Sequence, residues 1–330
     1  MIRRFDCLLL IVLLLSGCVS LRAPSDRPMG APGETTGLFD MPDGTRLPYR
    51  VWRSNGPVRA VILALHGMND SRDAWEVPAP HFTNAGVTLF SPDLRGFGAT
   101  TSRGQWPGTA ELVDDTRAMI ALLRARYPGL PLFLMGESMG AATLMVLATQ
   151  PRPPPIDGYI LVAPAVWSRN EMNWVMRSTL WLAYNTMPGV ALTGGGFVKR
   201  TASDNREALI RLSTDPLTIH GTRVDAIEGL VDLMDQAAAA APHFHARALF
   251  LYGGRDELVP PRATASVWRA LPRGGATLAF YPQGYHLLLR DKDRTAPIND
   301  VLAWMQDSSA PLPSGADKAA PEWLEKQDRK

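Results

Sequence analysis

Ser138 lies in the pentapeptide Gly136-Glu137-Ser138-Met139-Gly140, which has a glycine two residues before and two residues after the serine. The apolar run Leu132 to Met135 precedes it and the helix-forming stretch AATLMVLATQ follows it. The serine is therefore expected on a sharp turn between a strand and a helix, where the glycines let the backbone approach its neighbours closely. In this context the Oγ projects above the sheet at a helix N-terminus, which indicates a nucleophilic serine.

A serine hydroxyl is a weak nucleophile at neutral pH, so it needs a base to accept its proton and an acid to orient that base. For a serine on such a turn, the expected chain order is serine, acid, histidine. Asp256 follows the apolar run Ala248 to Tyr252, and His286 follows the last apolar run. We therefore expect His286 to take the proton from Ser138 and Asp256 to hold the imidazole, with the adjacent Glu257 as the rival acid.

Acyl transfer also develops a negative charge on the substrate oxygen, and each backbone N–H that meets this charge can contribute roughly 3 kcal/mol. The segment Leu65-His66-Gly67-Met68-Asn69 follows the first predicted parallel strand, where a loop can pass over the nucleophile. We expect the backbone amides of Met68 and Met139 to form the oxyanion hole. His66 is expected to shape this loop and not to act as the base.

The elements that must position these residues are short apolar runs, each closed by Gly, Pro, Asp or Ser. These runs are Arg59 to Leu65, Val87 to Phe90, Pro131 to Met135, Tyr159 to Val162, Ala248 to Tyr252 and Ala276 to Tyr281. Near-continuous Val, Ile and Leu favour strands that are buried on both faces. Helical stretches lie between them, the clearest from Ala110 to Arg126. This alternation predicts an α/β fold with a mostly parallel sheet and helices on both faces, opened by a hairpin around residues 42–45.

The alternation stops between residues 167 and 244, which predicts a helical lid inserted between two parts of the core, residues 34–166 and 245–306. Within the insertion, three tryptophans are spaced seven residues apart: Trp167, Trp174 and Trp181. This spacing is typical of one helix face. That face either packs on the core or covers an apolar substrate.

Residues 307–330 form a tail that is rich in Pro, Ala and charged residues. Apart from Leu312, its large apolar side chains are Trp323 and Leu324, which we expect to be its only apolar anchors. A segment with so little apolar surface has little to bury, so we expect the tail to be largely disordered.

The composition of the 330-residue chain is that of a globular protein, with 46% hydrophobic and 20% charged residues. The 34 Lys and Arg exceed the 32 Asp and Glu by only two, and no basic cluster occurs, which argues against nucleic acid as a partner. The two cysteines, Cys7 and Cys18, both lie near the start of the chain. This placement excludes a disulfide framework and a cysteine metal site in the core.

The first residues are typical of an export signal, because Arg3 and Arg4 precede the apolar run Leu8 to Leu15, which is too short to span a bilayer. Leu15-Ser16-Gly17-Cys18 resembles the lipobox of bacterial lipoproteins, in which the cysteine is acylated and becomes the mature N-terminus. The resemblance implies a signal peptide over residues 1–17 and a lipid anchor on Cys18. Residues 18–33 are the predicted tether, rich in Pro and Gly, and Val19 after the cysteine implies transfer to the outer membrane of a bacterial envelope.

Four separated motifs resemble an α/β-hydrolase of the monoacylglycerol lipase and lysophospholipase type, over roughly residues 34 to 306. They are His66-Gly67-Met68-Asn69, Pro92-Asp93-Leu94-Arg95-Gly96-Phe97-Gly98, Gly136-Glu137-Ser138-Met139-Gly140, and the pair of Asp256 and His286. The resemblance implies an α/β-hydrolase fold, selects Asp256 over Glu257 as the acid, and requires no metal or cofactor. It implies a serine hydrolase that cleaves esters of monoacyl lipids, monoacylglycerol or lysophospholipid, through an acyl-enzyme.

Two other functions remain open. Enzymes with the same family pattern include proline-releasing aminopeptidases, which need acidic groups in the lid to hold a substrate amine; Glu171, Glu207 and Glu228 are available. The other is a lipid-binding envelope lipoprotein that keeps the fold but not the chemistry, because a fold alone does not establish a function.

Overall fold

One mostly parallel sheet of eight strands organises the protein, whose computed structural model describes residues 34–193 and 200–329. Its strands are β1 (Glu34–Asp40), β2 (Arg46–Trp52), β3 (Ala60–Leu65), β4 (Val87–Pro92), β5 (Leu132–Glu137), β6 (Gly158–Val162), β9 (Ala248–Gly253) and β10 (Ala276–Tyr281), while β7 (Ala191–Thr193) and β8 (Gly221–Arg223) form a separate pair. The order in the sheet is β1-β2-β4-β3-β5-β6-β9-β10. Only the pairings of β2 with β1 and with β4 are antiparallel.

Helices cover this sheet, as the sequence pattern predicts. They are α1 (Ala79–Asn84), α2 (Thr109–Arg126), α3 (Met139–Ala148), α4 (Trp174–Thr186), α5 (Arg206–Thr214), α6 (Val224–Ala240), α7 (Pro261–Ala270), α8 (Thr295–Gln306) and α9 (Ala316–Asp328), with 3-10 turns at Arg72–Trp75, Arg169–Glu171, Ala241–His243 and Leu288–Arg290. Residues of β3 alternate between two hydrophobic clusters: Val61 and Leu63 belong to one, Ala60 and Ile62 to the other. Each face of the sheet therefore has its own apolar layer, and the predicted α/β-hydrolase fold is confirmed.

The segment 167–244 contains α4, α5 and α6 together with the β7–β8 pair, which the sequence analysis does not predict. Trp174 and Trp181 are 76% and 64% exposed, and no residue of α4 is buried. The interpretation that the tryptophans share one helix face packed on the core is therefore wrong for Trp174 and Trp181, whereas Trp167 precedes the helix and is partly buried against a core cluster. The opposite face of α4, which includes Val175, Met176 and Leu180, lines a cavity.

The prediction of a disordered tail over residues 307–330 is also wrong for the residues that the structure describes. Helix α9 packs against β10, and Trp323 is buried there. The Trp323 ring stacks on Phe280 at a centroid distance of 5.0 Å and lies 5.1 Å from Trp268 and 5.2 Å from Tyr252. Trp323 thus packs against three aromatic side chains at the edge of the sheet. This packing orders a segment of otherwise polar composition.

Candidate active site

Ser138 joins the end of β5 to the start of α3 in a strained backbone conformation, with φ 54° and ψ −112°. Its amide donates a hydrogen bond to Val162 O (2.9 Å), which fixes the turn on the neighbouring strand β6. A Cβ at Gly136 or Gly140 would collide with backbone, of α3 in the first case and of Leu65 and His66 in the second. Only glycine fits at both positions, and the surroundings hold the serine in a conformation that costs of order 1–3 kcal/mol.

His286 and Asp256 form a buried hydrogen-bonded pair, in which His286 Nδ1 lies 2.7 Å from Asp256 Oδ2. The other oxygen, Oδ1, accepts from the backbone amides of Leu258 (2.7 Å) and Val259 (2.9 Å), so the carboxylate is held at both ends. Burial lowers the pKa of His286, but the charge and the hydrogen bond of Asp256 outweigh it and the net pKa is raised. This pairing leaves Nε2 as the ring nitrogen that can accept a proton.

The acid beside His286 is Asp256 and not the rival Glu257. The Glu257 carboxylate instead accepts a hydrogen bond from the backbone amide of Thr201 at 2.6 Å. Asp291 supports the histidine loop from another side, because it accepts hydrogen bonds from the Tyr285 amide (2.7 Å) and the Ser203 hydroxyl (2.6 Å).

The loop that carries Met68 passes directly over Ser138. A Cβ built on Gly67 would lie 3.4 Å from the Cβ of Ser138, which is van der Waals contact. Met139 is the first residue of α3, and the first amides of a helix have no partner within it. Met68 therefore lies on a loop that is next to Ser138, and Met139 follows Ser138 in the first turn of α3.

His66 is fully buried and ties this loop to the segment after β4. Its Nε2 accepts the backbone amide of Leu94 (3.0 Å), which requires the proton to be on Nδ1, where it donates to Gly67 O (2.7 Å). Burial lowers the pKa of His66 and keeps the ring neutral. With both nitrogens engaged, His66 shapes the loop.

A cavity of about 640 Å³ opens onto these residues, and Ser138, His286 and Met68 all lie in its wall. Most of its other lining is apolar and comes from the helices α4 and α6 of the segment 167–244, from Trp167 and from the loop at Leu258. No aspartate or glutamate lines it among the described residues. The structure thus brings the predicted serine and histidine to one apolar cavity, with Asp256 buried behind the histidine.

Three charged side chains that the sequence analysis does not single out lie beneath this site. Arg290, four residues after His286, donates to Asp70 Oδ2 at 2.7 Å and to Glu137 Oε1. Asp70 belongs to the loop that carries Met68, and Glu137 directly precedes Ser138. The buried guanidinium therefore connects the three segments that carry the serine, the histidine and the oxyanion loop. The one sequence signal for this network was that Arg290, a charged residue, directly follows the apolar run Leu287-Leu288-Leu289.

A sequence-family model described as serine aminopeptidase S33, of the hydrolase group named Hydrolase_4, matches residues 56–293. The chain belongs to this family. The chain is 24% identical over 267 residues to the monoacylglycerol lipase of Mycolicibacterium smegmatis, covering 79% of this chain and 93% of that protein. It is 24% identical over 288 residues to the monoglyceride lipase of Rattus norvegicus, covering 86% and 94%.

The fold is also similar to that of a soluble variant of monoglyceride lipase from Saccharomyces cerevisiae, in its crystal structure in complex with a substrate analog. The TM-score is 0.69 at 20% identity, over 87% of this chain and 98% of that one.

Cys18, the predicted signal peptide over residues 1–17 and the tether over 18–33 lie outside the described residues. Within residues 34–193 and 200–329, no helix has the length and apolar character needed to cross a bilayer. The same part of the chain holds no cluster of three or more His, Cys, Asp or Glu residues arranged for a metal ion.

Proposed function

We propose that this protein is a serine hydrolase that cleaves the carboxylic ester of monoacyl lipids through an acyl-enzyme intermediate. Ser138 is the nucleophile, His286 the general base and acid, and Asp256 the group that orients and stabilises the imidazole. The observation that carries the proposal is the apolar cavity: a strained serine and a histidine already paired with a buried carboxylate open into a space suited to an acyl chain.

The proposed reaction has two halves that use the same residues. His286 Nε2 takes the hydroxyl proton as Ser138 Oγ attacks the ester carbonyl, and the amides of Met68 and Met139 stabilise the negative oxygen. The C–O bond to the alcohol then breaks, and the imidazolium gives its proton to the leaving alcohol. Water, activated by His286, attacks the acyl-enzyme next and releases the fatty acid, restoring the free serine.

The charges around the lid favour an ester substrate over a peptide. An aminopeptidase would use acidic side chains to hold the substrate amine, yet each of the three lid glutamates is engaged by an arginine. Glu171 pairs with Arg262 (3.1 Å), Glu207 with Arg211 (3.1 Å), and Glu228 with Arg169 (2.5 Å). None of the three lines the cavity that contains Ser138.

The strain at Ser138 argues against a binding module without chemistry. A serine in this backbone region costs free energy, and such outliers persist where the mechanism uses them. The buried Asp256–His286 pair also argues against a binding module, because binding a lipid does not require a buried carboxylate–imidazole pair.

The proposal is tested by a substrate panel on the purified protein and on Ser138→Ala. We expect the wild type to hydrolyse long-chain monoacylglycerol and lysophospholipid esters, to ignore aminoacyl-arylamides, and to lose the ester activity in Ser138→Ala. Saturable activity on acetyl esters with none on long acyl chains would contradict the lipid assignment. Release of arylamine from prolyl-arylamide would favour the aminopeptidase.

We further propose that acylated Cys18 anchors the enzyme in a bacterial envelope, on the outer membrane. The support is the lipobox-like sequence Leu15-Ser16-Gly17-Cys18 behind an apolar run. Several acyl chains, at about 0.8 kcal/mol per buried CH₂, hold a protein on a bilayer stably. Metabolic labelling with palmitate tests this: label should enter the wild type and be absent from Cys18→Ser, and label in neither protein would contradict the anchor.

A further inference from the structure

Arg200 is the one arginine or lysine among the described residues that line the cavity containing Ser138 and His286. The other polar lining side chain, apart from these two, is Thr179. Arg200 is exposed, so its guanidinium stays in contact with solvent while it lines an otherwise apolar cavity, and a permanent charge there is suited to an anionic part of the substrate.

The segment that carries Arg200 is fixed beside the histidine loop by several hydrogen bonds. Arg200 Nη1 donates to the carbonyl oxygen of Glu257, and the Thr201 amide donates to the Glu257 carboxylate. One residue further on, Ala202 O accepts the amide of Leu287, which directly follows His286. The guanidinium therefore stands on the histidine side of the cavity, next to the loop that carries Asp256.

Arg200 has no carboxylate partner in the part of the chain that the structure describes. Its contacts there are the Glu257 carbonyl and the ring of Trp167, whose centroid lies 5.8 Å from the guanidinium carbon. The adjacent residues 194–199 read Gly-Gly-Gly-Phe-Val-Lys and contain no acid. This contrasts with the lid arginines Arg169 and Arg211, which both pair with carboxylates.

We propose that Arg200 binds the phosphate of an anionic lysophospholipid, so that the enzyme prefers a glycerophosphate leaving group over neutral glycerol. This inference rests on the proposed function. In that mechanism His286 protonates the departing alcohol, so the head group must lie on the histidine side of the cavity, where Arg200 stands. The acyl chain then occupies the apolar part beneath the lid.

Guanidinium and phosphate match in geometry as well as in charge. The planar fork of arginine can donate two parallel hydrogen bonds to phosphate oxygens, whereas lysine offers a single point charge. The cation–π contact with Trp167 and the bond to Glu257 O restrain the guanidinium before substrate arrives, which lowers the entropic cost of binding.

The test compares two soluble substrates with the same short acyl chain, used below their micelle concentrations: a monoacylglycerol and a lysophosphatidic acid. We expect the wild type to have the higher kcat/KM on the anionic substrate. Arg200→Met should lower kcat/KM on that substrate about tenfold, the lower end for losing a charged hydrogen bond, because the side chain is exposed. Its kcat/KM on the monoacylglycerol should stay within about twofold, which also shows that the variant is folded. On the anionic substrate, the kcat/KM of Arg200→Lys should lie between those of the wild type and Arg200→Met.

Arg177→Met is the matched control, because Arg177 is an exposed arginine of the same lid that does not line this cavity. It should leave the ratio of the two kcat/KM values unchanged. The inference is overturned if Arg200→Met lowers kcat/KM equally on both substrates or on neither. It is also overturned if Arg177→Met has the same selective effect. A wild type that cleaves only the neutral lipid overturns this inference alone, whereas a wild type that cleaves neither lipid contradicts the proposed function itself.

Discussion

Arg290→Met is expected to destabilise the protein by about 3–5 kcal/mol, a large part of the 5–15 kcal/mol that is typical of a folded domain. The side chains of Arg290, Asp70 and Glu137 are 6%, 8% and 2% exposed, so removing the cation leaves two buried carboxylates without a partner. Burial lowers the pKa of Arg290, but the two carboxylates outweigh it and raise the pKa, which keeps the guanidinium charged. The predicted loss comes from these orphaned charges and not from lost packing, because methionine fills a similar volume.

Equilibrium unfolding in urea at pH 7, followed by tryptophan fluorescence, measures this loss. The triple variant Arg290→Met, Asp70→Asn, Glu137→Gln should recover at least about half of it, since it no longer buries an unpaired charge. Arg211→Met is the control: its ion pair with Glu76 is half exposed, and it should cost less than about 1 kcal/mol. A cost below about 1 kcal/mol for Arg290→Met, or a triple variant no more stable than the single one, would refute the reasoning.

Three further predictions concern the site and the tail. Asp256→Asn should lower kcat by about 10⁴-fold. Because the interaction with Asp256 raises the pKa of His286, wild-type kcat/KM should fall as the pH drops through a value above 6.5. In the variant this fall in kcat/KM should occur at a lower pH. An unchanged pH–rate profile would contradict this. Gly140→Ala should lower kcat on a soluble ester at least tenfold, because the new Cβ collides with the Leu65 carbonyl, and full activity would refute it. Trp323→Ala should cost about 3–5 kcal/mol in urea unfolding while Trp174→Ala stays within about 0.5 kcal/mol, and equal costs would contradict the packing described for α9.

The sheet was predictable because its central strands are buried on both faces and therefore appear as continuous apolar runs. The predicted run Ala276 to Tyr281 has the same bounds as β10, and helix α2 begins one residue before the predicted Ala110. The pair β7–β8 has strands of three residues whose partners lie about thirty residues apart, too short for any periodicity. Likewise, nothing near Trp323 in the sequence indicates Phe280, Trp268 and Tyr252, which complete its burial from other elements.

The positions of Ser138, Asp256 and His286 followed from one physical regularity: each comes within five residues after the carboxyl end of a parallel strand, and those ends meet at one edge of the sheet. Their catalytic roles remain a proposal. The Asp70–Arg290–Glu137 network was not predictable, because its members are separated by 67 and 153 residues in the sequence and isolated charges resemble surface residues. Arg200 was missed for the same reason, since only the folded lid brings it to the cavity that contains the serine.

Labelling with a fluorophosphonate probe tests the central claim most directly, because the probe reacts with an activated serine and assumes no substrate. The account predicts that the wild type is labelled, that mass spectrometry locates the adduct on Ser138, and that Ser138→Ala and His286→Ala take up no label. An unlabelled wild type, or label that persists in Ser138→Ala, would contradict it.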